Sequence, residues 1–167
     1  MNISDVCIEG VWFCRPNDPL ATAAGVMWHH NCGAVPVLDE ADRLVGVVTD
    51  RDLAIAMATR GWQASQTSVG EVMSGSTVSC RYRDSVREVL RIMRDTQLRR
   101  LPVLDERGAL TGMVSVKDII RSVQELPAKA TREGLLQEVI LTLMSISQHH
   151  TPNTLELAES RAMIPGV

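Results

Sequence analysis

Two short constellations in this chain carry the residue types that polar chemistry needs: Thr49-Asp50-Arg51-Asp52 and Ser115-Val116-Lys117-Asp118. In each, a hydroxyl stands three residues before a carboxylate, and a cation immediately precedes that carboxylate. The spacing has two chemical uses. At a helix start, such an acid caps the free backbone N–H groups or sits in the first turn, and stabilises the helix with nothing bound. A carboxylate and hydroxyl at the same helix mouth can instead accept hydrogen bonds from a bound molecule, each to a charged acceptor worth about 1.5–3 kcal/mol. The helix N-terminus, with Arg51 or Lys117 beside it, then favours an anion. Gly46 and Gly112, just upstream, read as backbone requirements of the fold under either use.

Other chemistry lacks support in the spacing. His29-His30 with Cys32, and His149-His150, invite a metal reading. Zinc sites draw four ligands from spaced pairs, and adjacent helical residues point about 100° apart, so these pairs do not converge on one ion. Cys7, Cys14, Cys32 and Cys80 form no CxxC pair and have no base at catalytic spacing. They read as reduced, half-buried thiols. No GxGxxG, P-loop or GxSxG is present, so the expectation is a non-enzyme without a covalent cofactor or metal.

The elements that must position the two constellations repeat with them. Pro36-Val37-Leu38-Asp39-Glu40 returns as Pro102-Val103-Leu104-Asp105-Glu106, and nine of the seventeen positions in Pro36–Asp52 are identical sixty-six residues later. Val6, Cys14, Asp18 and Met27 match Val72, Cys80, Asp84 and Met93 in the same register. Two copies form a paired unit, not a solenoid, which needs at least three. Val35–Leu38 with Leu44–Thr49, and Leu101–Leu104 with Leu110–Ser115, read as hairpins across polar turns. Helices are predicted at about Asp50–Thr59 and Val116–Glu125 behind them, and at Pro19–His30 and Val86–Gln97 ahead, the last capped by Asp84-Ser85. Short strands are predicted at Val11–Cys14 and Thr77–Cys80. Each unit is then strand–helix–strand–strand–helix, an α/β (or α+β) class in two pseudo-symmetric halves. The organisation expected is 1–62 for the first repeat, 63–75 for a linker and the start of the second, 76–124 for the second repeat, and 125–167 for a helical extension. In that extension Leu135, Leu136, Val139, Ile140, Leu143 and Met144 keep helical spacing, with Thr131 as a possible cap and a short helix near Leu155–Met163 after Pro152. It is expected to pack on the module or its dimer, with a regulated partner as the minority alternative.

Composition narrows the function. The 167 residues are 45% apolar, enough for one core, and the net charge of −3 argues against nucleic acid as a partner. No apolar run approaches the roughly 20 residues that span a bilayer, and Asp5 and Glu9 precede any apolar stretch. The expectation is a cytoplasmic protein with no membrane contact. Residues 1–62 carry four basic and eight acidic side chains, whereas 76–123 carry ten and six. Pro19–His30 has no acid, Lys or Arg, and its Leu20, Val26, Met27 and Trp28 suggest a subunit interface as well as a core.

These repeats resemble the CBS (cystathionine β-synthase) domain family over about residues 3–124. The marks are Ala34-Val35-Pro36-Val37 with Gly46-Val47-Val48-Thr49-Asp50-Arg51-Asp52, and Leu101-Pro102-Val103 with Gly112-Met113-Val114-Ser115-Val116-Lys117-Asp118. Glu71-Val72-Met73-Ser74 looks like the usual opening of a repeat, which the first copy replaces with Asp5-Val6-Cys7-Ile8. The resemblance implies a stand-alone Bateman module that holds an adenosine-containing nucleotide in its cleft as a regulatory ligand, and that pairs into a homodimer. On that reading Asp52 and Asp118 accept from ribose hydroxyls and Thr49 and Ser115 add hydroxyls. Backbone around Ala34, Val35 and Pro36, and around Arg100, Leu101 and Pro102, reads the base. Arg51 and Lys117 reach phosphates. Arg99, Arg100 and Lys117 make the second repeat the expected side for a phosphate-rich ligand, and the charge asymmetry favours a head-to-tail dimer. A regulated effector protein would receive the signal. The alternative is a ligand-free scaffold for oligomerisation or partner binding.

Overall fold

The computed structural model describes residues 1–75, 77–127 and 129–148. The chain runs through β1 (Ile8–Glu9), α1 (Leu20–His29), β2 (Ala34–Leu38), β3 (Leu44–Thr49) and α2 (Asp50–Arg60). It continues as β4 (Cys80–Arg81), α3 (Val86–Thr96), β5 (Arg100–Leu104), β6 (Leu110–Ser115), α4 (Val116–Gln124) and α5 (Lys129–Ile146). The helix–strand–strand–helix part of the unit therefore occurs twice, each time after a short strand and followed at the end by a C-terminal helix. The two short strands are not equivalents, since Cys80 of β4 corresponds to Cys14 and Ile8 of β1 to Ser74. The two hairpins keep the register of the sequence repeat: Ala34 opposes Thr49 and Arg100 opposes Ser115, and each pair of strands slips once near its Leu, at Leu38 and Leu104.

The pairing between the units obeys the same shift. Ile8 pairs antiparallel with Met113 on β6; sixty-six residues on from Ile8, Ser74 makes an antiparallel bridge to Val47 on β3. Asn2 bridges Ser85 as Ser68 bridges Pro19, and Arg43 bridges its own equivalent, Ala109, where the pseudo-twofold axis must pass. Each repeat thus lends its opening segment to the other repeat's sheet. The cores follow suit. Ile3 and Val6 are buried with Val86, Leu90, Met93, Leu101 and Ile119 of the second unit. Val69, with Val72 and Met73 beside it, packs on Leu20, Val35, Val37 and Val48 of the first. A chain that exchanges its edges in this way couples the two halves through backbone hydrogen bonds as well as apolar contact.

The exchange explains the repeated glycines. A Cβ on Gly112 would collide with the Ile8 carbonyl oxygen, and one on Gly46 with the Met73 side chain and, at 3.1 Å, the Ser74 carbonyl oxygen. The crossing segment lies directly over those two positions.

Local expectations met corrections at strand and helix ends. Val11–Cys14 is not a strand: Cys14 makes a single parallel bridge to Val37, while the equivalent Cys80 opens β4 beside Val103. The strand at the N-terminus is instead Ile8–Glu9, three residues earlier and in the other repeat's sheet. Thr131 lies inside α5 and does not cap it. The short helix expected near Leu155–Met163 lies outside the described residues. Ser85 caps α3, its Oγ accepting from the Glu88 N–H at 3.2 Å.

α5 packs on α3 and α4 of the same chain. Leu135, Val139 and Thr142 are buried there, and the Thr142 hydroxyl donates to the carbonyls of Glu138 (2.8 Å) and Leu90 (3.3 Å). Glu138 pairs with Arg94 at 3.2 Å and Arg87 at 3.7 Å. Among the described residues, no helix is long and apolar enough to cross a membrane.

Candidate functional site

Both constellations form capping boxes. β6 hands over to α4 at Ser115, whose Oγ accepts from the Asp118 N–H at 3.3 Å. Asp118 Oδ2 accepts in return from the Ser115 N–H at 3.0 Å and the Ser115 hydroxyl at 2.5 Å. Thr49 and Asp52 repeat the geometry at 3.3, 2.9 and 2.6 Å. In each box one carboxylate oxygen carries the cap. The other oxygen of Asp118 lies 3.9 Å from Arg121, although the residue is only 8% exposed. Capping fixes each carboxylate in place; it leaves acceptor capacity unspent.

A cavity of about 320 Å³ opens beside the second box, inside the size range of small-molecule sites. Its apolar wall comes from both repeats: Ile8, Val11 and Trp12 before α1, Ala34 and Pro36 on β2, and Met113 on β6. Its polar groups are Ser115, Lys117, Asp118 and Arg100, with His30, Asn31 and Cys32 just after α1. Trp12 stacks on His30, ring centroids 4.7 Å apart and planes inclined by 18°.

Arg100 is the electrostatic centre of this cavity. It opens β5 opposite Ser115, and its guanidinium comes within 3.1 Å of where a Cβ on Gly33 would stand, with Asp50 Oδ2 2.7 Å from the same point. Gly33 therefore leaves room for the Arg100 and Asp50 side chains, which would have to shift if it carried a side chain. Burial first, then Arg99, pushes the Arg100 pKa below its ordinary value, while Asp50, Cys32 and Asp118 draw it back up. A guanidinium remains charged under such pressure, so its charge stays available to an anion in the cavity.

Of the residues read from sequence, the cavity brings together Ala34, Pro36, Arg100, Ser115, Lys117 and Asp118. The starts of both repeated strands, Ala34 and Arg100, thus meet at one cavity instead of serving one repeat each. Val35 and Leu101 are fully buried core residues, Pro102 is buried in β5, and Arg99 is exposed. Thr49, Arg51 and Asp52 stand at the start of α2, away from this lining, with Asp52 facing a smaller pocket that includes Ile55 and Val72. Sequence reasoning missed Ile8, Val11 and Trp12 as lining residues. The signal was in the repeat register: Ser74 closes the motif opening the second copy, and Ile8 is its equivalent.

The buried thiols are not part of this chemistry. Burial pushes Cys14 up to about 11 and Cys80 up to about 12, with Asp18 and Asp84 adding to the respective shifts.

The CBS domain model matches residues 3–59 and again 69–125. The chain belongs to the CBS domain family. It is a tandem CBS pair with a C-terminal helix added. Hypoxic response protein 1 of Mycobacterium tuberculosis is 34% identical over 72% of this chain and 84% of that protein. YhcV, a CBS domain-containing protein of Bacillus subtilis, is 36% identical over 71% and 82%. Among solved structures, Hypoxic Response Protein I with two coordinated zinc ions superposes with a TM-score of 0.67 at 32% identity, covering 76% of this chain and all of that one. The CBS domain pair of protein MJ0100, in complex with 5′-methylthioadenosine and S-adenosyl-L-methionine, gives 0.66 at 25% identity over 72% and 94%. Among the described residues of the present chain, no three His, Cys, Asp or Glu side chains gather as a metal site.

Proposed function

We propose that this CBS pair is a regulatory module that binds an adenosine-containing nucleotide in the cavity beside Asp118 and transmits its occupancy as a change in the relation of the two repeats. The observation that carries the reading is the chemistry of one cavity. Apolar wall for a base, a pre-positioned carboxylate and hydroxyl for sugar hydroxyls, and the cations Arg100 and Lys117 for phosphate all line it. The adenosine compounds in the MJ0100 pair support the ligand class. On this reading the Asp118 carboxylate accepts from the ribose, Ser115 assists, and Arg100 and Lys117 hold phosphate. The ligand touches β2 of one repeat and α4 of the other, so it shifts their relation to the extent that it binds one arrangement more tightly. A thermal-shift panel of AMP, ADP, ATP, NAD, S-adenosylmethionine and GTP tests this: adenosine compounds should stabilise and GTP should not. No shift with any of them at millimolar concentration leaves the scaffold reading in its place.

We also propose a homodimer through α1 and α2. In the second repeat the corresponding helices lie under α5, and Arg94 and Arg87 meet Glu138 there. The residue equivalent to Arg94 is Trp28, which is 83% exposed, with Ile55 and Met57 of α2 also exposed. An apolar residue stands where the other repeat uses a charge to hold a helix. Light scattering on wild type and Trp28→Glu decides: a dimer that becomes a monomer supports the interface, and a wild-type monomer overturns it.

A further inference from the structure

Resting on the nucleotide reading, we propose that Trp12, held by His30, is the platform on which the cavity takes the planar base, so that each chain carries one nucleotide site, beside Asp118 and not beside Asp52. Three observations converge on it. The first is the stack itself. His30 follows the last turn of α1, its N–H bonded to the Val26 carbonyl at 3.0 Å, so its ring is carried by a helix end and not by a loose loop. The indole lies nearly parallel to that ring at 4.7 Å, within the range of aromatic pairs. Both rings line the cavity together with Arg100 and Asp118.

The second is that Trp12 has no packing role that would require an indole. It is 60% exposed, whereas its neighbour Cys14 is 1% exposed and belongs to the core. A large aromatic ring kept out of the core and braced from one side is organised for a partner that brings a flat face. Bases supply one, and stacking on an aromatic side chain contributes about 1–3 kcal/mol per base by alanine substitution.

The third is the asymmetry. Shifted by the sixty-six residues of the repeat, Trp12 becomes Val78, His30 becomes Thr96 and Gly33 becomes Arg99. The positions equivalent to the two rings therefore hold neither ring, and the smaller pocket at Asp52 is lined by Ile55, Ala56, Glu71 and Val72. The sugar-binding acid is duplicated and the base platform is not. The duplicated acid serves the helix in both repeats and a ligand in one.

The test compares AMP with ribose 5-phosphate, which lacks the base, by calorimetric titration of wild type, Trp12→Ala, Trp12→Phe and His30→Ala. The exposed position of Trp12 lets the variants fold, and circular dichroism checks that they do. AMP should bind wild type at one site per chain. Its affinity should fall about tenfold or more in Trp12→Ala, recover in Trp12→Phe and fall less in His30→Ala, with ribose 5-phosphate affinity unchanged throughout. Unaltered AMP affinity in Trp12→Ala, an equal loss for ribose 5-phosphate, or two AMP per chain would overturn the platform while leaving the nucleotide reading intact. A wild-type protein that binds no AMP and none of the other adenosine compounds overturns both.

Discussion

Removing Asp52 and Asp118 one at a time separates capping from binding. The two boxes are nearly superposable: the acid accepts from the cap N–H at 2.9 or 3.0 Å and from the cap hydroxyl at 2.6 or 2.5 Å. Without ligand, Asp52→Ala and Asp118→Ala should therefore cost about the same. Cap losses run at about 1 kcal/mol, and a domain of this size loses about 2–4 °C in Tm per kcal/mol. Asp118, at 8% exposure, should stand toward the upper side. With a nucleotide present the pair should diverge. Asp118→Ala also forfeits a hydrogen bond to a charged acceptor, about 1.5–3 kcal/mol, which raises Kd by roughly 10- to 150-fold. Asp52→Ala should leave Kd within about twofold. The assay is chemical denaturation of each apo variant alongside calorimetric titration of AMP. Equal loss of affinity in both variants, or greater loss in Asp52→Ala, would refute the assignment of the site to the second repeat.

Four further outcomes follow from the fold. Gly112→Ala should destabilise by about 1–3 kcal/mol in urea unfolding, because its methyl meets the Ile8 carbonyl, whereas Gly25→Ala in α1, with nothing within 4 Å, should stabilise by about 0.5–1 kcal/mol. Leu135→Ala should cost about 2–5 kcal/mol and the exposed Met144→Ala less than about 0.5, if α5 is docked as described. Stability should fall as pH rises above about 9. There the unfolded thiols ionise, while Cys14 and Cys80 keep their protons to about 11 and 12, and the fall should be shallower in a Cys14→Ala/Cys80→Ala double variant. Arg100→Ala should weaken AMP binding more than adenosine binding, measured by titration with each.

What the sequence made legible was local. α2 and α4 begin where the Thr49 and Ser115 boxes place them, and the two hairpins follow their apolar runs, because caps and alternation act over a few residues. The edge exchange was not legible. Ile8–Glu9 is two exposed residues, and its partner Met113 lies more than a hundred positions away, so no local periodicity marks it. Arg87 and Arg94 of α3 find their partner in Glu138, on a helix outside the repeat, so nothing within the repeat marks the pairing. The cavity was half legible. Ser115, Lys117 and Asp118 stood out by type and spacing, and Arg100 by charge. Trp12 did not, and His30 stood out only as a metal candidate, since the meeting of the two rings depends on how the segment before α1 folds back over the end of that helix.

The most direct test of the account is a crystal structure of the chain grown with saturating AMP. The account places one AMP in the cavity between β2 and α4, its ribose hydroxyls on the Asp118 carboxylate, its phosphate toward Arg100 and Lys117, and its base against Trp12. An AMP bound beside Asp52, or an empty cavity at millimolar AMP, would contradict it.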